Sequence, residues 1–307
     1  MSARVSPLSR HAVLMIHGLG GTRHDFGALD RKFEQIGCDV HLPSLPGHGS
    51  NPDALSRVTL SDYMQLLSRT YRELVKRYER VDVAGISMGA LLALMLSARE
   101  RMTTGRLILL SPPLFLDGWG GSRLRPLRYL MYCVPGLRRL IRVPEGEPFG
   151  IKNARIRNLI RRHLQKGSGV HYPYVPLAAI EQVDWMRFAV KRALSRVTCE
   201  TLVMHSEEDE VTSIRSAEFV CEHLGSRAVT FVRLTDSYHM ITLDNERDTV
   251  AEQTLAFVQR ASGTSGRASK QTQPSAKQTT VPHRRNRAKL PLGFKKYSSA
   301  RAAPPKV

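Results

Sequence analysis

The pentapeptide Gly85-Ile86-Ser87-Met88-Gly89 constrains this 307-residue chain more than any other feature. An apolar, strand-like run (RVDVA) leads into it, and an apolar, helix-like run (ALLALML) leaves it. A strand that passes into a helix through so short a turn brings the two backbones close together. The residues two before and two after the central serine must then be small, and both are glycine, with Ala90 keeping the next contact small. Such a turn lifts the serine hydroxyl above a sheet and sets it at a helix N-terminus. The G-x-S-x-G pattern alone is short enough to arise by chance as a glycine-rich turn. The strand–turn–helix context selects Ser87 as a nucleophile.

The rest of the body has a matching rhythm. Short apolar runs at 12–17, 38–42, 81–86, 106–110, 201–205 and 228–234 have the length of buried strands. Between them lie segments of helical period. The clearest is 60–78, with an apolar stripe through Leu60, Tyr63, Met64, Leu67, Tyr71, Leu74, Val75 and Tyr78, and Thr59 with Asp62 as a capping box. Segment 88–100 is apolar nearly all round, and 245–260 is amphipathic. This alternation predicts the α/β class: a mainly parallel sheet of six or slightly more strands with helices on both faces. It breaks once. From 113 to 190 a Pro- and Arg-rich stretch shows short helical patterns and no strand-like run, which reads as a helical cap inserted into a core made of 1–112 and 191–261. The remainder, 262–307, is rich in Ser, Thr, Gln, Pro, Lys and Arg and has too little apolar surface to offset the entropy of ordering. It is expected to be a basic, disordered tail.

A serine nucleophile needs a base, and the base needs an orienting acid. His239 is the only one of the eleven histidines on a loop after the last strand-like run. Asp209 ends the preceding strand within the acidic cluster Glu207, Glu208, Asp209 and Glu210, with Glu208 its main competitor. The tetrahedral intermediate of acyl transfer needs preorganised donors for its oxyanion. The N–H of Met88, next to the nucleophile, and that of Leu19, in His17-Gly18-Leu19-Gly20-Gly21 after the first strand, are the expected pair. Gly18, Gly20 and Gly21 lack G-x-G-x-x-G spacing, so a dinucleotide site is not indicated.

The segments HGLGG, LPGHG, GISMGA, HSEED and SYHMITLDNERD together resemble the carboxylesterase and monoacylglycerol-lipase branch of the α/β-hydrolases over roughly residues 11–260. The resemblance implies that fold, the chain order Ser87–Asp209–His239 for the triad, Leu19 and Met88 as oxyanion donors, and a structural role for His48 in LPGHG. It implies ester hydrolysis with no cofactor and no metal. Thioester cleavage or acyl transfer on the same triad, or an idle scaffold, are the alternatives. The sequence departs from the family pattern at Ser206, where glycine is usual, and in its long basic insertion and basic tail. Leu114, Phe115, Leu116, Trp119, Tyr129, Leu130 and Met131 cluster where the chain leaves the sheet. Either part of this set, with Leu114, Phe115, Trp119 and Tyr129 foremost, lines an acyl pocket, or the set forms the cap's own small core.

The net charge of +19 is concentrated: residues 261–307 carry eleven Lys or Arg and no Asp or Glu, and 120–166 is rich in arginine. Such charge favours phosphate-bearing surfaces. Peripheral contact with anionic membrane is the expected use, nucleic acid the competing one, although Phe294 and Tyr297 alone make a poor stacking platform. Four unpaired cysteines read as buried, reduced thiols. With no secretory signal and no apolar run near the ~20 residues of a membrane span, the cytoplasm is the expected location.

Overall fold

A computed structural model describes residues 9–49, 51–121, 125–134, 136–165, 172–260 and 278–279. In chain order the main elements are β1 (Ser9–Ile16), α1 (Leu29–Gln35), β2 (Asp39–His41), α2 (Leu60–Leu74), β3 (Tyr78–Ile86), α3 (Met88–Glu100) and β4 (Leu107–Leu110). The inserted region follows with α4 (Arg128–Tyr132), α5 (Leu137–Leu140), β5 (Arg142–Pro144), α6 (Ala154–Gln165), β6 (Tyr174–Pro176) and α7 (Leu177–Ala193). The chain then returns through β7 (Thr201–Ser206), α8 (Arg215–His223), β8 (Val229–Leu234) and α9 (Arg247–Gln259), and β9 (Gln278–Thr279) lies beyond.

The main sheet has the order β2-β1-β3-β4-β7-β8-β9. Its first six strands are parallel and β9 is antiparallel to β8. Central strands are buried on both faces, which is why they read as unbroken apolar runs. In β1, Ala12, Leu14 and Ile16 join one core cluster, with residues of α2, α3 and α7; Val13 and Met15 join the other, with residues of α1 and α9. Helix α2 starts on the expected capping box, Asp62 N–H donating to Thr59 Oγ1 at 3.3 Å and Thr59 N–H to Asp62 Oδ2 at 2.8 Å. It ends at Leu74; Val75 is exposed and Tyr78 opens β3, so the apolar stripe of 60–78 spans two elements.

Four expectations need correction. The insertion is not purely helical, because β5 and β6 form an antiparallel ladder pairing Arg142 with Pro176 and Pro144 with Tyr174. Three residues are too few to show a period in sequence. The boundary at 190 cuts through α7, whose Met186, Val190 and Ala193 belong to the larger core cluster beside α3. Within the tail, Gln278 and Thr279 pair with Val232 and Phe231 through backbone bonds, which composition does not reveal; the rest of 262–307 lies outside the described residues. All four cysteines are free, but only Cys38, Cys199 and Cys221 are buried, while Cys133 is exposed in the cap. Among the described residues no helix is long and apolar enough to cross a membrane.

Candidate active site

Ser87 sits between β3 and α3 with φ +52° and ψ −123°, a backbone that L-residues adopt only under constraint. The constraint is steric and directional. Ser87 N–H donates to Leu110 O at 2.9 Å, and Ala90 N–H donates to Ser87 O at 2.9 Å. A Cβ on Gly85 would lie 2.2 Å from Gly89 O, and one on Gly89 would lie 1.9 Å from Ile16 O. Both glycines therefore exist to let α3 pass this close to β1 and β3.

Three side chains meet above this turn. Ser87 Oγ is 2.8 Å from His239 Nε2, and His239 Nδ1 is 2.7 Å from Asp209 Oδ2. Asp209 Oδ1 accepts the N–H groups of Val211 (2.8 Å) and Thr212 (2.9 Å), so the carboxylate is fixed on both oxygens. Burial works against charge on Asp209, but His239, His205 and the Thr212 N–H outweigh it and hold its pKa below the ordinary carboxylate value. Burial likewise opposes the imidazolium, yet Asp209 above all, with Glu210 and Glu145, keeps His239 above the ordinary 6.5. The ring is thus a strengthened base with Nδ1–H directed at Asp209 and its Nε2 lone pair at Ser87. The competing acids point elsewhere. Glu208 pairs with Lys152 at the surface, Glu207 lies 3.7 Å from Arg233, and Glu210 accepts the backbone N–H of His239 at 3.1 Å.

The loop carrying His239 has no regular structure, and two carboxylates that the sequence reading passed over define it. Buried Asp244 accepts N–H from Tyr238 (2.8 Å), Lys152 (2.6 Å) and Asn153 (2.8 Å), tying the loop to the cap. Glu246 accepts from Thr235 N (3.1 Å), Asp236 N (2.8 Å) and Ser237 Oγ (2.7 Å). Ser206, where the resemblance leads one to expect glycine, donates its buried hydroxyl to Ser237 O and so links the acid loop to the base loop. Acids five and seven residues beyond a histidine would have been the signal.

On the other side of Ser87, two imidazoles join two loops reciprocally. His17 Nε2 accepts Leu45 N–H at 3.2 Å, while His48 Nε2 accepts Gly20 N–H at 3.0 Å. Their Nδ1–H groups donate to Gly18 O and Pro46 O, both at 3.0 Å. Both rings must be neutral to accept these bonds. Burial lowers the pKa of each, and the neighbouring His17 helps bring His48 down to about 4. This fixes the 17–21 loop beside the nucleophile, a Cβ on Gly18 lying 3.5 Å from Ser87 Cβ. Leu19 N–H has no protein acceptor among the described residues, and Met88 N–H, at the start of α3, has none within its helix. A serine hydroxyl bonded to an imidazole, the imidazole bonded to a buried carboxylate, and two free N–H groups beside the serine make an arrangement able to run acyl transfer.

The Alpha/beta hydrolase family profile matches residues 13–253, most of the chain. The chain belongs to this family. It is 27% identical over 254 residues to the thermostable monoacylglycerol lipase of Bacillus sp. (strain H-257), covering 82% of this chain and 91% of that protein. It is 21% identical over 264 residues to a carboxylesterase of Bacillus subtilis (strain 168), covering 81% and 92%. Among solved structures, one from a study of the metagenome-derived lipolytic enzymes LipS and LipT superposes with a TM-score of 0.67 at 25% identity, covering 82% of this chain and 95% of that one.

In this α/β hydrolase the inserted segment also meets the His239 loop at Gly150 and Glu145. Met240 N–H donates to Gly150 O at 2.8 Å, and a Cβ on Gly150 would come within 3.4 Å of His239 Cβ. Glu145 is exposed as a residue, yet protein surrounds its carboxyl, which feels the charges of Asp25, Glu210 and His239. Burial, then Asp25 and Glu210, push its carboxyl up to about 7, against the pull of His239. The sequence reading missed Glu145 because a lone acid between Pro144 and Gly146 looks like an exposed turn. The anticipated acyl-pocket residues do not gather in one place. Leu114 is fully buried in the larger core, and Phe115 packs edge-on against Phe219 beneath Lys191. Trp119 is exposed against Tyr238, and Tyr129 is exposed on a cap groove with Trp185 and Phe188. Neither a shared pocket nor a single cap core describes them.

Proposed function

We propose that this α/β hydrolase is a serine carboxylic ester hydrolase that works through an acyl-enzyme on Ser87. The observation that carries the reading is the hydrogen-bonded line from Ser87 Oγ to His239 to Asp209, at 2.8 and 2.7 Å, with the ring facing both partners in the orientation that proton transfer needs. Ser87 Oγ attacks the ester carbonyl as its proton passes to His239 Nε2. Asp209 stabilises the imidazolium through the Nδ1–H bond. The carbonyl oxygen becomes an oxyanion, met by the N–H groups of Leu19 and Met88. On collapse His239 returns the proton to the departing alcohol oxygen, and the acyl group remains on Ser87. Water then repeats the sequence, with His239 as base, and releases the carboxylic acid.

Monoacylglycerols and other carboxylic esters are the substrates to test first, because the similar proteins are named a monoacylglycerol lipase and a carboxylesterase. The experiment pairs a fluorophosphonate label with a panel of p-nitrophenyl esters and monoacylglycerols of increasing chain length. Stoichiometric labelling of wild type and none of Ser87→Ala is expected, together with ester turnover. Labelling without ester turnover, but with turnover of an acyl thioester, would replace the ester with a thioester substrate. No labelling at all would sink the catalytic reading and leave an idle scaffold.

A further inference from the structure

All of the net charge lies outside the catalytic core. Residues 1–112 and 191–260 carry 22 Lys or Arg and 22 Asp or Glu. The segment 113–190 carries thirteen against five, and 261–307 eleven against none. Exposed apolar side chains divide the same way. Of the eleven large ones among the described residues, ten lie between Trp119 and Phe188, with Val75 the exception.

Within the cap most of these lie on or beside three helices packed on one another. Helices α4 and α5 pack on each other and both pack on α7. Tyr129, Trp185 and Phe188 share a groove of about 260 Å³ there, and Leu130, Val134 and Leu140 are exposed on α4, just after it and on α5, beside that groove's helices. Leu130 and Leu140 are 68% and 78% exposed. The acids on the groove floor are already neutralised: Asp184 is held by Arg128, Arg187 and Tyr132, and Glu181 by Arg138. Arg139, Lys191 and Arg192 make no ion pair among the described residues, and the Arg192 guanidinium lies 3.6 Å from the centre of the Phe188 ring. The face therefore offers aliphatic tips, aromatic rings and uncompensated cations together.

Water is a poor partner for such a face, since contiguous exposed apolar surface marks an interaction site. Nucleic acid would use the cations but leave Leu130, Val134 and Leu140 in water. An anionic bilayer uses every component. Aliphatic tips enter the acyl region, Trp and Tyr rings lie at headgroup depth, and Arg and Lys lay their stems along apolar surface while the charges meet lipid phosphates. We propose that the α4–α5–α7 face of the cap is a docking surface for anionic lipid bilayers. The basic tail adds long-range attraction, and the cap face supplies the insertion. Strand β5 runs directly from α5 to Glu145, whose carboxyl feels the charge of His239, so the docked face connects to the candidate site. The inference goes beyond ester hydrolysis and is read without substrate, so an inactive enzyme would not affect it.

The chain has two tryptophans, so full-length Trp119→Phe protein leaves Trp185 as the sole indole reporter. With vesicles of phosphatidylglycerol and phosphatidylcholine, Trp185 emission is expected to shift to the blue and to be quenched by brominated acyl chains. Pure phosphatidylcholine vesicles should give neither effect, and added salt should weaken binding. Adding Leu130→Asp and Leu140→Asp, both at exposed positions, should weaken vesicle binding by ~10-fold or more while the tail charge is untouched. Three results would overturn the proposal: absence of quenching, equal binding by the double aspartate protein, or equal binding to neutral vesicles. Tight binding of duplex DNA without any vesicle-dependent change at Trp185 would transfer the charge to nucleic acid and also overturn it.

Discussion

Asp209→Asn is the substitution whose outcome the geometry dictates most closely. The carboxylate uses Oδ1 for two backbone N–H donors, Val211 and Thr212, and Oδ2 for His239 Nδ1–H. An asparagine at this position keeps its single oxygen on the two backbone donors, because reversing it would set an NH2 against two N–H groups. Its NH2 then faces His239. The imidazole answers by moving its proton to Nε2, which turns an N–H toward Ser87 Oγ and removes the acceptor. Restoring the productive tautomer costs a donor–donor contact, about 1–3 kcal/mol, on top of a lost charge-assisted bond of about 1.5–3 kcal/mol. At 1.36 kcal/mol per decade these total roughly 10²- to 10⁴-fold in kcat, and the upper end is expected because the site is buried. The pH dependence supplies a second readout. His239 must be neutral to act, so activity is lost as pH falls through its pKa, which in the wild type lies above 6.5. Asp209 is the chief group raising it, so the acid limb of kcat/KM should move to lower pH in the variant. Glu208→Gln, which disturbs only a surface pair with Lys152, should leave kcat within about twofold. Less than a tenfold loss in Asp209→Asn with an unmoved acid limb, or a large loss in Glu208→Gln, would refute the assignment.

His48→Leu removes the acceptor for Gly20 N–H and should lower kcat by about 10- to 100-fold, with a smaller change in KM for a soluble ester; His48→Gln, which can still accept, should recover part of the loss, and steady-state kinetics of the two decide. Gly89→Ala places a methyl 1.9 Å from Ile16 O, where only backbone could yield, so roughly 3 kcal/mol or more of stability should be lost; a melting temperature equal to wild type would show that the approach of α3 to β1 is softer than described. Arg106 donates to Phe257 O, Val258 O and Arg260 O at the end of α9 and to Glu200, so Arg106→Met should cost about 3 kcal/mol, roughly 6–12 °C in Tm for a domain of this size, with kcat unchanged.

What the sequence reveals depends on how far each element's neighbours are its own neighbours in sequence. Strands β1, β3, β4 and β7 are covered on both faces along their central stretches, so most positions there are apolar and the run announces itself. The turn at Ser87 is legible because its glycines answer a clash within one strand–helix unit. Strands β5 and β6 are held by partners far away in the chain: Arg142 NH2 donates to Asp53 Oδ2 at 2.7 Å and Tyr174 OH to Asp53 Oδ1 at 2.9 Å. No local pattern encodes that. Leu114, Phe115, Trp119 and Tyr129 are close in sequence and chemically alike, yet the chain carries them to the core, a helix edge, a loop surface and a cap groove, because exposure depends on what packs from elsewhere. Asp244 and Glu246 look like solvated loop acids and are instead the framework of the His239 loop.

The two halves of the site are held by different physics. Ser87 is positioned by exclusion. Its strained backbone persists because β1, β3 and α3 leave no other path, and a strain of about 1–3 kcal/mol is small against two helix–sheet contacts. His239 is positioned by satisfaction. Its loop lies on no regular element, and seven N–H or O–H donors from the loop and the cap converge on Asp244 and Glu246. A steric frame tolerates polar change and fails on added volume; a hydrogen-bonded frame tolerates volume at its rim and fails when an acceptor is removed. Lys152 and Asn153 are among the donors, so the cap is part of the frame that sets the base. Residues 150–153 cannot leave their place without releasing acceptors that also hold Tyr238 and Met240 beside His239.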